Sequence, residues 1–373
     1  MIIKRKLSFE LFAVLCYLCT VTTGWSYGNS YPVYVAVSIV MAIFAYSRFF
    51  FGKSRIDRSI KGFITIILFL TLFLGLVDGD LKSSIMVNIS LIMPFALSSL
   101  NIDYANFAKQ TVIASLVNLL LIYGLTLDFN AWNSNTLAFM IFCGLSVGMM
   151  WFKTGRRASN LIFSTLYLVL GSTFLFMTGC RNAGMVIIAC YILLLLPDMV
   201  YKGRLFFRAL YVTTLLMTVF AGDFMHYILS DEKIMDKIMS FTTSFSDKEW
   251  GMDTHYFVIE FIKAKMSGMD IFMLLFGSGI KTYHCHNIFY QCVLFYGYIG
   301  TALIYIFYIY VFERAYILFK DYNDVISLSC FIVLLGHWML QIGEVYMLGG
   351  EAVVLMALLP AGVILQRWNR CVA

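Results

Sequence analysis

The feature that most constrains this chain is a series of apolar segments, each about 16–25 residues long, that recurs along its whole length. The chain is 61% hydrophobic and only 13% charged. Such a segment crosses a bilayer as an α-helix, because a helix satisfies its backbone hydrogen bonds internally. The sequence therefore predicts an all-α, polytopic transmembrane bundle of about twelve spans, forming one integral membrane domain over residues 1–373. The predicted spans are 9–25, 31–50, 62–77, 84–100, 111–127, 136–152, 160–178, 183–199, 209–225, 286–311, 325–341 and 345–366.

Basic residues predict the orientation of these spans. With both termini in the cytoplasm, most of the 27 Lys and Arg fall in cytoplasmic loops, and the short external loops keep only Lys82 and Arg181. The first apolar run lacks a small-residue cleavage site, which predicts a retained helix rather than a signal peptide. We attribute the net charge of +6 to anchoring at the inner leaflet, and we expect no nucleic-acid partner.

One long hydrophilic stretch, residues 222–285, is placed outside by this orientation. Within it, residues 232–239 and 254–264 have helix-like apolar spacing, which predicts short amphipathic helices on the membrane surface. Phe276-Gly277-Ser278-Gly279 then indicates a turn. His284-Cys285-His286-Asn287 follows, immediately before the chain re-enters the membrane. Because ionisable groups are costly to hold at that boundary, they point to a functional site.

Three ionisable residues are candidates for chemistry at the external face. Arg181 lies in a tight polar turn, where its planar fork could hold a diphosphate; the alternative is an arginine that snorkels at a helix end. His284 and His286 are spaced poorly for two metal ligands on one helical face. A neutral imidazole at this position suits a general base for a sugar hydroxyl. The alternative is a histidine that caps the following helix together with Asn287.

These motifs resemble those of the O-antigen polymerase and O-antigen ligase superfamily, over roughly residues 175–300. Members of that family are multi-pass proteins with about twelve spans and a large external loop late in the chain. The segments that carry the resemblance are Thr178-Gly179-Cys180-Arg181-Asn182-Ala183, Phe276-Gly277-Ser278-Gly279, His284-Cys285-His286-Asn287 and Leu294-Phe295-Tyr296-Gly297-Tyr298-Ile299-Gly300.

The resemblance implies metal-independent glycosyl transfer, with no cofactor, at the outer face of the bacterial cytoplasmic (inner) membrane. The donor would be a glycan on undecaprenyl diphosphate, and an acceptor hydroxyl would attack its anomeric carbon. Arg181 would supply the charge neutralisation that a metal ion gives elsewhere. His286 would be the base, with His284 orienting either this base or the acceptor, and Asn287 would contact the substrate.

Two further contacts follow from the same resemblance. Ligase-like members carry a second arginine before the G-x-G motif, whereas this chain offers His255, with Lys263 or Lys265 one or two turns later. We expect one of these to reach the phosphates. Asn133 and Asn135 resemble a polar external loop of the polymerase branch, and an ordinary solvated turn is the equal alternative.

The reaction expected is therefore polymerisation of lipid-linked repeat units into O-antigen, capsule or exopolysaccharide, within the membrane lipids and alongside a chain-length regulator and a flippase. One alternative is an O-antigen ligase acting on lipid A-core or another acceptor. A second is a flippase or exporter, although the spans carry few of the charges that a transporter uses. Asp78-Gly79-Asp80 could hold a divalent ion. Cys180 and Cys285, both placed on the oxidising side, could form a bridge.

Overall fold

The computed structural model describes residues 31–52, 58–100, 102–125, 134–155, 158–178, 180–230, 252–279, 285–343, 345, 347–348 and 352–371. Within these ranges the chain is entirely α-helical between its turns, and no strand is present. The helices are α1 (Tyr31–Phe51), α2 (Arg58–Val77), α3 (Leu81–Ser98), α4 (Tyr104–Leu125), α5 (Ser134–Gly155), α6 (Ala158–Met177), α7 (Arg181–Leu195), α8 (Asp198–Lys202), α9 (Arg204–Ser230), α10 (Met252–Ser267), α11 (Ile271–Phe276), α12 (Ile288–Tyr322), α13 (Val325–Leu340) and α14 (Ala352–Cys371). The predicted span 9–25, the predicted helix 232–239, Asn133 and His284 lie outside the described residues.

Four helices are long and apolar enough to cross a membrane: α2, α3, residues Arg204–Asp223 of α9, and α12. Five shorter apolar helices accompany them in the described part of the chain. The surface of α2 shows why this composition suits lipid, since Ile66 and Phe73 are 64% and 61% exposed. Many large apolar side chains on an outer surface are favourable in contact with lipid hydrocarbon and unfavourable in contact with water. The all-helical class is thereby confirmed, together with the suitability of the bundle for a membrane.

Helix α13 occupies the centre of the bundle. It contacts α5, α7, α9, α12 and α14, and its residues from Ser327 to Trp338 are buried. Its one ionisable residue, His337, lies 3.3 Å through Nε2 from Ser146 Oγ and meets the Phe142 ring edge to face. A helix that is apolar on all sides has to be enclosed by others, and this explains its central position.

One end of the bundle is closed by ion pairs, and we name it the Glu313 end. Glu313 on α12 receives two parallel hydrogen bonds from Arg208 on α9, of 2.7 and 2.8 Å, and a third from Tyr211. Asp324 at the start of α13 pairs with Arg367 on α14. Lys153 pairs with Asp198 at 3.0 Å and also donates to the last carbonyl oxygens of α7. Ion pairs thus connect the ends of neighbouring helices at this end of the bundle.

Helices α9 and α12 differ from their predicted bounds in ways that affect the site. Helix α9 continues to Ser230, past the expected start of the long loop at residue 222. The expected span 286–311 is longer and not continuous: α12 runs to Tyr322 and contains Gly297 at φ +68°, ψ 177°. Since this backbone conformation is non-helical, α12 is kinked at Gly297, a feature that the predicted span did not include.

Candidate functional site

Asn287 fixes the point at which α12 begins, and we call this the Asn287 end of the bundle. Its Oδ1 accepts hydrogen bonds from the backbone N–H groups of Phe289 and Tyr290, as an N-cap does. Its Nδ2 donates to the carbonyl oxygens of Thr218 in α9 and Ile342 after α13, at 2.9 and 3.1 Å. The side chain is completely buried. Because its oxygen and both amide hydrogens are engaged within the protein, Asn287 positions the site, and this geometry does not favour the expected substrate contact.

His286 is presented by a turn that is held on both sides. It adopts φ +50°, one of two positive φ angles among the non-glycine residues that the structure describes. Before it, the Cys285 N–H donates to Gln291 Oε1 at 3.2 Å, and after it Asn287 is anchored as described above. The left-handed conformation is costly for a residue with a side chain, although histidine tolerates it better than most. Such strain persists only where the surroundings enforce it, and it is frequent at functional sites. The backbone of the half-buried His286 is therefore held in one conformation.

The two glycine motifs form one junction. At Gly297 the helix opens, which leaves the carbonyl oxygens of Leu294 and Phe295 without their usual helical partners. Ser278 N–H donates to Leu294 O at 2.9 Å, and Gly279 N–H donates to Phe295 O at 3.1 Å. The Gly277-Ser278-Gly279 turn thus satisfies the broken helix, as buried backbone groups require. The predicted turn at 276–279 is confirmed, since α11 ends at Phe276 and Gly277 has φ +80°.

The junction is in turn fixed to α2 and α3 by a buried polar cluster. Gly279 packs so closely on α2 that an added Cβ would lie 3.0 Å from Thr71 O. Ser84 Oγ on α3 donates to Gly279 O. Asn88 Nδ2 donates to Thr71 Oγ1 at 2.8 Å, and Asn88 Oδ1 has no hydrogen-bond partner among the described residues. Polar side chains that hydrogen-bond across helices in this way hold the packing between apolar helices.

Arg181 begins α7, and its level in the bundle follows from how α7 packs on α13. Cys190 Sγ lies 3.9 Å from Ile332 O, and a Cβ on Gly336 would lie 3.7 Å from Val186. A Cβ on Gly336 would lie still closer to Cys190 Sγ, so Cys190 lies between positions 332 and 336 and the two helices are antiparallel. Arg181 lies nine residues before Cys190, which at about 1.5 Å per residue brings it to the end of α13, near the level of Gln341.

Gln341 is also where the His286 turn attaches. Its carbonyl oxygen accepts from Ile288 N–H at 3.1 Å, and the next carbonyl, of Ile342, accepts from Asn287. Arg181 and His286 accordingly lie at the same end of the bundle, near the end of α13. Arg181 is half-buried.

The residues expected to make the second phosphate contact lie on α10, which confirms a helix over the expected segment 254–264. Lys263 Nζ lies 2.9 Å from Asp223 and 3.0 Å from Glu260. Burial lowers the pKa of Lys263, but the hydrogen bonds to these carboxylates outweigh it, so the pKa is raised. With its charge already matched twice, Lys263 is poorly suited to a phosphate. Lys265 is half-buried in the last turn, and His255 lies in the first turn of the same helix.

Three other expectations can be placed. Asp80 is the N-cap of α3, because its Oδ1 accepts from Ser83 N–H at 3.1 Å. Among the described residues no three His, Cys, Asp or Glu side chains are placed to share a metal ion. Cys180 and Cys285 are buried thiols that are not bridged to each other. Asn135 lies in the first turn of α5.

A small cavity lies behind the His286 turn, at a position that the sequence does not indicate. Its volume is about 20 Å³, which is the size of one water molecule. Two of its lining residues carry buried polar atoms with no hydrogen-bond partner among the described residues: the Tyr296 hydroxyl and Trp338 Nε1. Ile288, Cys292 and Met347 also line it.

The sequence reasoning also missed Thr218, Gln291 and Gln341, which hold the turn through backbone or side-chain hydrogen bonds. A glutamine inside an apolar span was the available signal for two of them. Comparison with known proteins adds no family: no protein-family model matches the chain, and no curated protein matches it significantly.

Proposed function

We propose that this chain is a glycosyltransferase of the polysaccharide polymerase type, which joins undecaprenyl-diphosphate-linked repeat units at the outer face of the bacterial cytoplasmic membrane. The observation that carries the proposal is the placement of Arg181 and the strained His286 at the same end of an apolar bundle, near the end of α13. An imidazole and a guanidinium are two groups that suit glycosyl transfer from a lipid diphosphate.

In this mechanism His286 takes the proton from an acceptor hydroxyl, whose oxygen attacks the anomeric carbon of the donor. The bond between that carbon and the diphosphate oxygen breaks, and the lipid diphosphate leaves. Arg181 offsets the negative charge that develops on the leaving group, through paired hydrogen bonds to phosphate oxygens. Asn287 holds the turn in register. His284 orients the acceptor, and His255 or Lys265 gives the second phosphate contact.

The proposed topology has about twelve spans with both termini in the cytoplasm, so that the Asn287 end faces outward. The distribution of cations supports it. Arg208, Arg314 and Arg367 lie at the Glu313 end, where the positive-inside tendency of membrane proteins predicts the cytoplasmic side.

The test is mass analysis of surface polysaccharide from a strain that lacks the chain. A polymerase predicts single repeat units on the acceptor. Long chains stranded on undecaprenyl diphosphate would indicate the ligase instead, and lipid-linked single repeat units retained on the cytoplasmic side would indicate the flippase. Unaltered polysaccharide would contradict all three.

A further inference from the structure

Arg314 differs from the other arginines of the Glu313 end in how its charge is matched. It lies on α12 next to Glu313, yet Glu313 is taken by Arg208. Two other carboxylates at this end are also occupied, Asp324 by Arg367 and Asp198 by Lys153. Among the residues that the structure describes, no carboxylate pairs with Arg314.

Two aromatic rings fix the guanidinium of Arg314 instead. Its Cζ lies 4.5 Å from the centre of the Tyr310 ring on the same helix and 4.1 Å from the centre of the Trp368 ring on α14. Contacts of this kind bind a cation through the negative face of the ring and leave the in-plane N–H donors unused. The ring contacts therefore orient the guanidinium but supply no hydrogen-bond acceptor.

Burial makes the missing acceptor more costly. The Nε atom of Arg314 is covered and has no hydrogen-bond partner among the described residues. The residue as a whole is half-buried, so a ligand can still reach it. On α14, Asn369 follows Trp368 directly, and its Oδ1 is likewise buried with no described partner. A desolvated cation with unused donors calls for an anion with several oxygens.

The surroundings indicate where that anion comes from. Leu205, near the start of α9, is 84% exposed, and Met199 on α8 is 81% exposed, so this end of the bundle carries apolar side chains turned outward. Arg314 thus lies near the boundary between hydrocarbon and water, at the depth of lipid headgroups. Phosphate oxygens match the guanidinium fork bidentately.

We propose that Arg314, held by Tyr310 and Trp368, is a binding site for the phosphate of an anionic phospholipid. The site is at the opposite end of the bundle from His286, and it stands independently of the proposed glycosyl transfer. Its role is to anchor α12 and α14 to the headgroup region at the end where their helices meet.

The experiment uses the purified full chain in detergent and follows its thermal unfolding with added phosphatidylglycerol, phosphatidylcholine or inorganic phosphate. Phosphatidylglycerol should raise the Tm of the wild type more than phosphatidylcholine does. Arg314→Gln should weaken the response to phosphatidylglycerol about tenfold or more in lipid concentration, since it removes a charge-assisted bidentate contact. Arg314→Lys should recover only part of it.

Lys320→Gln is the matched control, because it removes the same charge from an exposed position on the same helix. The Tm of each variant in phosphatidylglycerol is compared with its own Tm in phosphatidylcholine, so that the lipid response can be measured even for a less stable variant. Native mass spectrometry counts the bound lipids. Equal losses in Arg314→Gln and Lys320→Gln would mean a diffuse charge effect and would overturn the site. Stabilisation by inorganic phosphate as strong as that by the lipid would overturn the assignment to a phospholipid, and so would equal effects of the two lipids on the wild type.

Discussion

Gly277 and Gly297 lie backbone against backbone, so that a Cβ on Gly277 would come within 2.6 Å of the Gly297 nitrogen. Both residues have positive φ angles. The break in α12 and the turn after α11 are therefore one feature. A side chain on either glycine would collide with the backbone of the other segment. This junction is attached to α3 by the hydrogen bond from Ser84 Oγ to Gly279 O.

Gly297→Ala should destabilise the protein by about 3 kcal/mol or more, because the added methyl group meets the Leu275 carbonyl and the φ angle is strained for alanine. Thermal unfolding of the purified protein measures the change. Gly62→Ala is the control, since a Cβ at this helical position meets nothing within 4 Å. It should be neutral or stabilising by up to about 1 kcal/mol. Similar losses in both variants would contradict the junction.

Asn287→Ala should cost about 2–4 kcal/mol of stability, because it removes an N-cap and the two hydrogen bonds from Nδ2 to the carbonyl oxygens of Thr218 and Ile342. Asn287→Ser keeps a good cap but cannot donate to both carbonyls, and it should recover only about 1 kcal/mol. The same unfolding measurement separates the two roles. A serine variant as stable as the wild type would show that the bonds to Thr218 and Ile342 contribute nothing.

His286→Ala should reduce transfer by roughly 10²–10⁴-fold if the imidazole is the general base. His286→Gly is the decisive companion, because glycine adopts φ +50° without strain. It should match or exceed the wild type in stability and still lose activity. Transfer is measured with a lipid-linked donor at equal amounts of membrane protein. An active glycine variant would make the histidine structural.

Arg181→Ala should lose about 30- to 1000-fold in rate, the loss of about 2–4 kcal/mol of transition-state stabilisation. Arg181→Lys should be nearly as poor, because lysine offers a point charge without the bidentate fork. The same transfer assay reports both. Long polysaccharide chains from cells that carry either variant at normal protein levels would place the diphosphate site elsewhere.

The proposed orientation is tested by fusion of a reporter that is active only outside the cytoplasm. Fusion near Ser246 should be active, and fusions near Gly155 or Gly203 should be silent. Both silent positions follow helices that end at the Glu313 end, where Lys153 and Asp198 pair. The reverse pattern would put Arg181 and His286 on the side where the proposed chemistry does not take place.

Metal independence is tested with excess chelator, which should leave transfer by the purified protein intact. Asp78→Asn combined with Asp80→Asn should keep most activity, because asparagine still caps α3 in place of Asp80. If chelator abolished activity and added manganese or magnesium restored it, the catalytic site would instead lie at the beginning of α3.

The sequence alone determined the features that depend on neighbouring residues. Apolar runs such as 62–77 predicted helices, since a long apolar segment can satisfy its backbone only in this way in lipid. Asn287 was recognised as a helix start, and the glycines at 277 and 279 as a turn, because capping and positive φ angles are local properties.

Only the tertiary structure decided what depends on distant residues. The break at Gly297 lies within an apolar run with no local signal strong enough to predict it, and it is stabilised by N–H donors from residues 278 and 279. Lys263 looked available for a phosphate until Asp223, 40 residues earlier, was found beside it. Arg181 and Asn287 reach the same end of the bundle through the antiparallel packing of α7 on α13. Such relationships depend on which helices pack together and in what register. They cannot be read from one sequence, because side chains of separate spans come into contact only in the folded bundle.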